Sequence, residues 1–382
     1  MAAVMPHRDP NSSSRDHCIM LLHGDQPLRL MIVTNPHMSQ VYELYYKAFE
    51  TLRRVREIKN LEDNDNLCKK ISQTLREHLT VIPHLAMGVL ECRDLMKPED
   101  MDKFMNTILR SRISRRVIAE QHLALTETFN SPWHFADTKT TETEFIGEVF
   151  LKCNAKEVVE RVGKEVQAIA AAAYGPSTHI PEIRLEGHLD ATFPYILSHL
   201  EYIIGELLRN SIQAIIEKQS KSKSQSQPPP IEVTVCEAPQ HVIIRVSDQG
   251  GGIPRDILPY LWSFSKGPRK DQRLENLNRV PKMAATMQEL RVNHLEETNK
   301  ESNDTDSHNG ATRDSSLSSL SSRPPNLRLG MGLPLSRVYA EYWAGNLELH
   351  SLEGYGVDAF LQISKIGNKN EQLTTRASMD AV

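Results

Sequence analysis

The sequence predicts a two-part protein, an antiparallel helical bundle followed by an α/β sandwich. Three observations predict it. Apolar residues recur at helical spacing in four long segments between Gln40 and about Ala173. Beyond Gly175, short strand-like runs interleave with helical ones. The connections in that second half are unusually rich in glycine at strand ends and helix starts.

The bundle segments are "VYELYYKAFETLRRV", "LCKKISQTLREHLTVIPHLAMGVLECRDLM", "MDKFMNTILRSRISRRVIAEQHLALTETF" and "AKEVVERVGKEVQAIAAAAYG". Short polar breaks separate them, as in an antiparallel arrangement. After Gly175, "EIRLEG" reads as a strand and the stretch around "ELLRNSIQAIIEK" as a helix. "IEVTVCE" alternates as a strand does, and "HVIIRVSD" is a more continuously apolar strand ending at Asp248. "GLPLSRVYAEYWAG" gives a further helix, and "NLELHSLEGYGVDAFLQIS" a hairpin with a Gly-rich turn. The division expected is an atypical N-terminus (1–30), a helical bundle (31–175), an α/β domain (176–366) and a tail (367–382). Two polar insertions near 219–230 and 270–328 interrupt the second domain. The latter half of the second is too polar to offset its ordering entropy, so disorder is expected there.

Bulk composition narrows the function classes. With 382 residues, 39% hydrophobic and 25% charged, the chain has the make-up of a globular protein with two cores. A formal charge of -4 leaves no basic footprint, so nucleic acid is not expected as a partner. No apolar run reaches the ~18 residues of a membrane span. Five scattered cysteines show neither a C-x-x-C pair nor a disulfide framework. The N-terminus carries Arg8 and Arg15 among serines but also Asp9, Asp16 and Asp25, a weak transit peptide.

Chemistry concentrates in the second domain. Glu206 and Asn210 stand four apart and so project from one face of their helix. Alone, this pair reads first as the wet side of an amphipathic helix. Asp248 ends its strand and is followed by Gly250, Gly251 and Gly252, a carboxylate suited to an exocyclic amine beside backbone open to a flat ring. Gly330 and Gly332 precede a helix start, where free N–H groups and the dipole favour phosphate. Gly354 and Gly356 close the terminal hairpin. Each motif alone is as readily structural; their order across one α/β domain is specific.

That order resembles the Bergerat ATP-binding fold of the GHKL superfamily. Within it the chain resembles the mitochondrial kinases of 2-oxoacid dehydrogenase complexes, the pyruvate and branched-chain dehydrogenase kinases. "NPHMSQVYELYYKAFETLRR", "SRISRRVIAEQHLAL", "FPYILSHLEYIIGELLRNSIQA" and "GMGLPLSRVYAEYWAGNLELHSLEGYG" carry the likeness. It implies an ATP- and Mg²⁺-dependent protein serine kinase that phosphorylates, and so inactivates, the dehydrogenase subunit. By the resemblance Glu206 is the base for the substrate hydroxyl, and Asn210 the Mg²⁺ ligand. Asp248, Gly250, Gly252 and Val357 lie at the adenine end; Arg328, Gly330, Gly332 and Leu333 cover the phosphates. Implied partners are the dehydrogenase subunit, the lipoyl-bearing core, a small 2-oxoacid regulator and a second copy of the chain. The implied location is the mitochondrial matrix.

The chain departs from the family pattern in three places. Arg328 stands for the first glycine of the phosphate loop, Val357 for a threonine on the adenine side, and the helices before "NPH" are not recognisable in residues 1–30. Loss of one hydroxyl predicts weaker nucleotide binding by about 1 kcal/mol. In the bundle, Arg112 and Arg116 lie four apart and His78 opens "HLTVIP". Spacing alone leaves a solvated basic face as one reading and a carboxylate clamp as the other; the resemblance implies the clamp, for a 2-oxoacid. The helix "QHLALTE" leans toward the branched-chain kind. Two alternatives stand beside the serine kinase. One is a histidine kinase phosphorylating His78, although Leu79 occupies the place of that family's acidic neighbour. The other is a nucleotide-binding scaffold without transfer.

Overall fold

The computed structural model describes residues 34–130, 145–222, 227–267, 270–279, 323 and 327–365. The atypical N-terminus and the tail expected from the sequence lie outside them. Asn35 and Pro36 start the first helix, α1 (Pro36–Arg53): the Asn35 side chain accepts the Met38 N–H at 3.1 Å, and proline lacks only an N–H the helix does not use. Asn60 caps α2 (Leu61–Glu77) in the same way through the Asp63 N–H at 2.8 Å. A 3₁₀ turn at His78–Thr80 leads into α3 (Val81–Glu91), buried from Val81 to Leu90 except at His84. The long α4 (Pro98–Asn130) buries Met101, Met105, Leu109, Arg112, Ile113, Arg116 and Glu120. That is one helical stripe, apolar at its start and ionic at its end. α1 packs on α2 and α3, and α2 packs on α4.

The fourth helical segment does not join them. α5 (Ala155–Tyr174) packs instead along α6 (Leu197–Ser222), where Gly205 meets Val162 and Gly163 faces Ile183 and Leu208. Its amphipathic pattern required one buried face and left open which neighbour covers it. A small antiparallel sheet that the sequence did not suggest, ordered β1-β2-β4, flanks this pair. Its strands are β1 (Phe145–Ile146), β2 (Val149–Asn154) and β4 (Thr192–Ile196).

The main sheet has the order β3-β5-β6-β8-β7, with β3 (Ile183–Gly187), β5 (Ile231–Glu237), β6 (His241–Asp248), β7 (Asn346–Leu352) and β8 (Gly356–Ser364). β3 and β5 run parallel and the other pairs antiparallel. Alternation places Val242, Ile244, Val246 and Asp248 of β6 on the buried face, in register with Ile363, Leu361, Ala359 and Val357 of β8. That face packs against α6 and against α8 (Gly332–Tyr342). α6 is buried at most positions from His199 to Ile216, charged ones included. Its fully buried leucines and isoleucines each contribute about 1.5–3 kcal/mol.

Bundle and sandwich meet along α4 and α3. α4 packs on α8, where Arg110 Nη2 lies 3.0 Å from Glu341 Oε2. The Asp102 carboxylate accepts the Phe264 N–H at 2.8 Å, and α3 packs on α7 (Lys270–Asn278). α7 opens the stretch expected to be inserted and buries Arg273, Asn276 and Leu277. At the other insertion, residues 219–222 continue α6. Order therefore reaches further into both stretches than their polarity suggested. Among the described residues no helix is long and apolar enough to cross a membrane.

Gly356 shows how tightly β8 lies against the strand end that carries Asp248. A Cβ there would stand 1.8 Å from the Asp248 carbonyl oxygen. Gly356→Ala is therefore expected to cost about 2–4 kcal/mol by forcing the strands apart. Thermal unfolding checks this; an unchanged midpoint would contradict the packing described.

Candidate active site

α6 is the spine of the site. Glu206 is 1% exposed and accepts from both nitrogens of the Arg323 guanidinium, Nη1 to Oε1 at 2.7 Å and Nη2 to Oε2 at 2.8 Å. Arg209, one turn along α6, also donates to Oε1. Burial alone would raise the Glu206 pKa, but the two guanidiniums outweigh it and hold the carboxylate below its usual range. Gly332, the first residue of α8, closes over it: a Cβ there would stand 2.0 Å from Glu206 Oε2 and 3.2 Å from Arg323 Nη2. No side chain caps the start of α8, whose first backbone N–H groups have no partner within the helix.

Asn210 follows one turn later and is half-buried. Its neighbour Ser211 donates its hydroxyl to Asp248 Oδ2 at 3.0 Å, tying the helix to the end of β6. Asp248 Oδ1 accepts the Gly250 N–H at 2.8 Å. Burial raises the Asp248 pKa, while the bonds from Gly250, Ser211 and the Val357 backbone pull it back only in part. Val357 thus reaches Asp248 through its main chain. Gly250 is required by contact, since a Cβ would meet Ala214 Cβ at 2.5 Å. Gly252, at φ +73°, lies against the β7 carbonyl of Leu352, so the hairpin also constrains it.

The phosphate-loop residues separate into two groups. Gly330 (φ +71°) and Gly332 bracket the loop before α8, with Leu333 half-buried in the helix's first turn. Arg328 turns away and pairs with Glu217, further along α6. It has no positive φ, so the chain accommodates it where a glycine was expected. Arg273 of α7 braces the loop, donating to the carbonyls of Leu329 at 3.2 Å, Gly330 at 3.2 Å, Phe264 at 2.9 Å and Lys266 at 3.1 Å. It fills the space beside Gly330, where a Cβ would meet its Nε at 2.2 Å. A cavity of about 180 Å³ opens here, lined by Ile257, Tyr260, Lys266, Arg273 and Arg328. Among the described residues no group of three or more His, Cys, Asp and Glu side chains is placed to hold a metal.

Sequence reasoning missed Arg209, Ser211, Arg273 and Arg323. The first two stand beside Glu206 and Asn210 on a helix already singled out, so helical spacing carried a signal for them. Arg273 and Arg323 lie in polar stretches and give none.

In the bundle, His78 Nε2 lies 3.3 Å from the Leu44 carbonyl, and its ring meets Tyr45 edge-on at 4.9 Å. Arg112 and Arg116 are buried, so they are not a solvated face. Arg116 donates to the Leu75 carbonyl at 3.2 Å and to Glu120 Oε1 at 2.6 Å, an acidic partner that the sequence reading overlooked. Burial, with Arg112, Arg115 and Arg116 nearby, pushes the His78 pKa down to about 4 against the one raising contact, from Leu44.

Comparison with known proteins covers both halves. Residues 24–150 match a family model described as mitochondrial branched-chain alpha-ketoacid dehydrogenase kinase, and residues 196–365 one described as histidine kinase-, DNA gyrase B- and HSP90-like ATPase. The chain is 33% identical to mitochondrial pyruvate dehydrogenase (acetyl-transferring) kinase 2 of Saccharomyces cerevisiae, over 91% of this chain and 74% of that one. It is 28% identical to the mitochondrial pyruvate dehydrogenase kinase of Arabidopsis thaliana, over 92% and 86%. With isozyme 4 of Mus musculus it shares 25%, over 89% and 71%.

The depressed His78 pKa makes a stability prediction. His78 is neutral in the fold, and the unfolded chain takes up its proton first as pH falls. Its stabilising contribution is full above pH ~6.5 and is lost toward pH 4, up to about 3 kcal/mol. Denaturant unfolding at pH 7 and pH 4.5 should show a smaller loss for His78→Gln than for the wild type. Equal losses would mean that His78 titrates normally.

Proposed function

Since this chain belongs to the mitochondrial kinases of 2-oxoacid dehydrogenase complexes, within the GHKL superfamily, we propose that it transfers the terminal phosphoryl group of ATP to a serine of a dehydrogenase subunit. The observation that carries the reading is the meeting of Glu206, the uncapped start of α8 and the Gly330–Gly332 loop beside the middle of α6. Asn210 and Ser211 follow along the same helix, and Ser211 reaches Asp248 at the end of β6. A nucleotide lying along α6 would have its adenine amine on Asp248 and its phosphates under the N-terminus of α8. The donor set suits the nucleotide: a carboxylate fixed by backbone and hydroxyl donors at one end, free helix N–H groups at the other.

Asn210 is the residue to hold Mg²⁺ through its amide oxygen, and Mg²⁺ when bound offsets phosphate charge. Glu206 orients the attacking hydroxyl and takes its proton. Arg209 keeps the carboxylate placed, and Ser211 keeps Asp248 at a fixed height below the helix. Arg328 lies outside the phosphate path, on Glu217, and Val357 contributes its backbone alone. The helices α1–α4 take the role of regulatory bundle, and α5 with the sandwich that of kinase domain.

The relatives compared above are named for pyruvate dehydrogenase, although the model matching the bundle is named for the branched-chain kinase. We take pyruvate dehydrogenase as the target, against the lean of "QHLALTE". The same names support a mitochondrial location, and the matrix as the site of action belongs to this proposal. Binding to the lipoyl-bearing core and pairing with a second copy belong to the same reading. Transfer to His78 has less support, because its Nε2 faces the Leu44 carbonyl. A scaffold without transfer has less support as well, given the enclosed Glu206.

Glu206→Gln keeps the side-chain volume and removes the base. Nucleotide affinity should stay within a few-fold while transfer to the dehydrogenase subunit falls roughly 10²–10⁴-fold. Undiminished transfer would remove Glu206 from the role.

Regulation supplies a second test. Arg112 and Arg116 are held beside His78, and a small 2-oxoacid carboxylate would compete with Glu120 for them. The bundle touches the phosphate loop through α3, α7 and Arg273, so a ligand preferring one bundle arrangement would shift the loop. Pyruvate should inhibit transfer, and Arg112→Gln should raise the concentration needed by about 10–100-fold, as loss of a charged hydrogen bond implies. Unchanged inhibition in the variant would place the regulatory site elsewhere.

A further inference from the structure

We propose that Arg323 is a catalytic residue of this chain, resting on Glu206 until the terminal phosphate of ATP takes its guanidinium over. The proposal rests on the reading that Glu206 and the start of α8 flank that phosphate.

Three features lead to it. Arg323 binds Glu206 through two parallel bonds, at 2.7 Å and 2.8 Å. That fork suits a phosphoryl group as well as it suits a carboxylate. Second, the guanidinium lies at the N-terminus of α8: Nη2 is 3.2 Å from where a Gly332 Cβ would stand. It therefore sits in the mouth of the phosphate cradle, against the bare backbone of Gly332. Third, Arg323 is 6% exposed, so it is packed into the site and is not a surface arginine that strayed there.

The arrangement also answers a difficulty in the mechanism. A carboxylate gripped by two guanidiniums is a weak base, and Glu206 is so gripped. Arg209 is fixed on the same helix, one turn from Glu206, whereas Arg323 comes from outside α6 and is the partner that can leave. When it moves to the non-bridging oxygens of the terminal phosphate, Glu206 loses one of its two cations and its proton affinity rises. The serine oxygen then bonds to phosphorus as the bond from phosphorus to the bridging oxygen breaks. ADP carries away that oxygen's electron pair, and the serine proton passes to Glu206. Arg323 is not consumed; it binds charge that is present on the transferred group throughout.

The same contact viewed as a simple brace makes different predictions. A brace stabilises Glu206 and is indifferent to how many phosphates the nucleotide bears. A phosphate ligand distinguishes ATP from ADP.

The test uses the full chain, with binding of Mg-ATP and Mg-ADP measured on the wild type, Arg323→Gln and Arg323→Lys. Transfer to purified dehydrogenase subunit is measured beside it. The proposal expects Arg323→Gln to weaken ATP about 10-fold or more while ADP stays within two-fold, and to lower kcat by roughly 10³-fold, the scale of an arginine that serves a phosphoryl group. Arg323→Lys should recover part of both, and it stands in for the glutamine variant should that one not fold. An unchanged ratio of ATP to ADP affinity, or a kcat that stays level or rises, would overturn the proposal and leave Arg323 a brace or a lock. A wild type that transfers to no dehydrogenase subunit would instead defeat the functional reading, and the ATP-to-ADP ratio would still decide Arg323.

Discussion

A carboxylate buried in the middle of a helix is the constraint from which the rest of this site follows. Left alone, Glu206 would cost several kcal/mol or take up a proton. The fold instead surrounds it with Arg209 from its own helix and Arg323 from the polar stretch before the phosphate loop. To seat that carboxylate, α8 must begin with a residue lacking a side chain, and Gly332 is that residue. Buried ion pairs are seldom the cheapest way to stabilise a core. Well-packed apolar residues on α6 would serve stability as well or better, so this arrangement is better explained by chemistry than by folding.

The same helix sets the distance between the two ends of the site. Ser211 pins Asp248, and Asp248 organises the turn at Gly250. From the other side, Arg273 ties the loop at Gly330 to the segment around Phe264, and Asp102 of the bundle accepts that segment's N–H. A continuous run of contacts therefore joins α3 and α4 to the loop before α8. Contact alone is not coupling. It does give a bundle ligand a mechanical route, and the ionic end of the α4 stripe is where such a ligand would act.

Much of this was legible in the sequence, for identifiable reasons. Helical spacing placed Glu206 and Asn210 on one face, and the apolar run "HVIIRVSD" placed Asp248 at a strand end beside its glycines. Glycines marked the loop before α8 and the final hairpin. What was not legible depended on neighbours distant in the chain. The pattern of α5 demanded a buried face without naming α6 as its cover. Arg112 and Arg116 looked the same whether buried or wet, because spacing does not report what lies opposite. Arg273 and Arg323 sit in polar stretches whose composition masks them, and Val357 works through a backbone group that every residue has.

The most direct test of the account is the chemical nature of the product. The full chain is incubated with Mg²⁺ and terminally labelled ATP beside purified pyruvate and branched-chain dehydrogenase subunits, and the labelled protein is treated with acid. The account predicts acid-stable phosphoserine on the pyruvate dehydrogenase subunit, with little label on the kinase itself. Acid-labile label on this chain, or no transfer to either subunit, would contradict it.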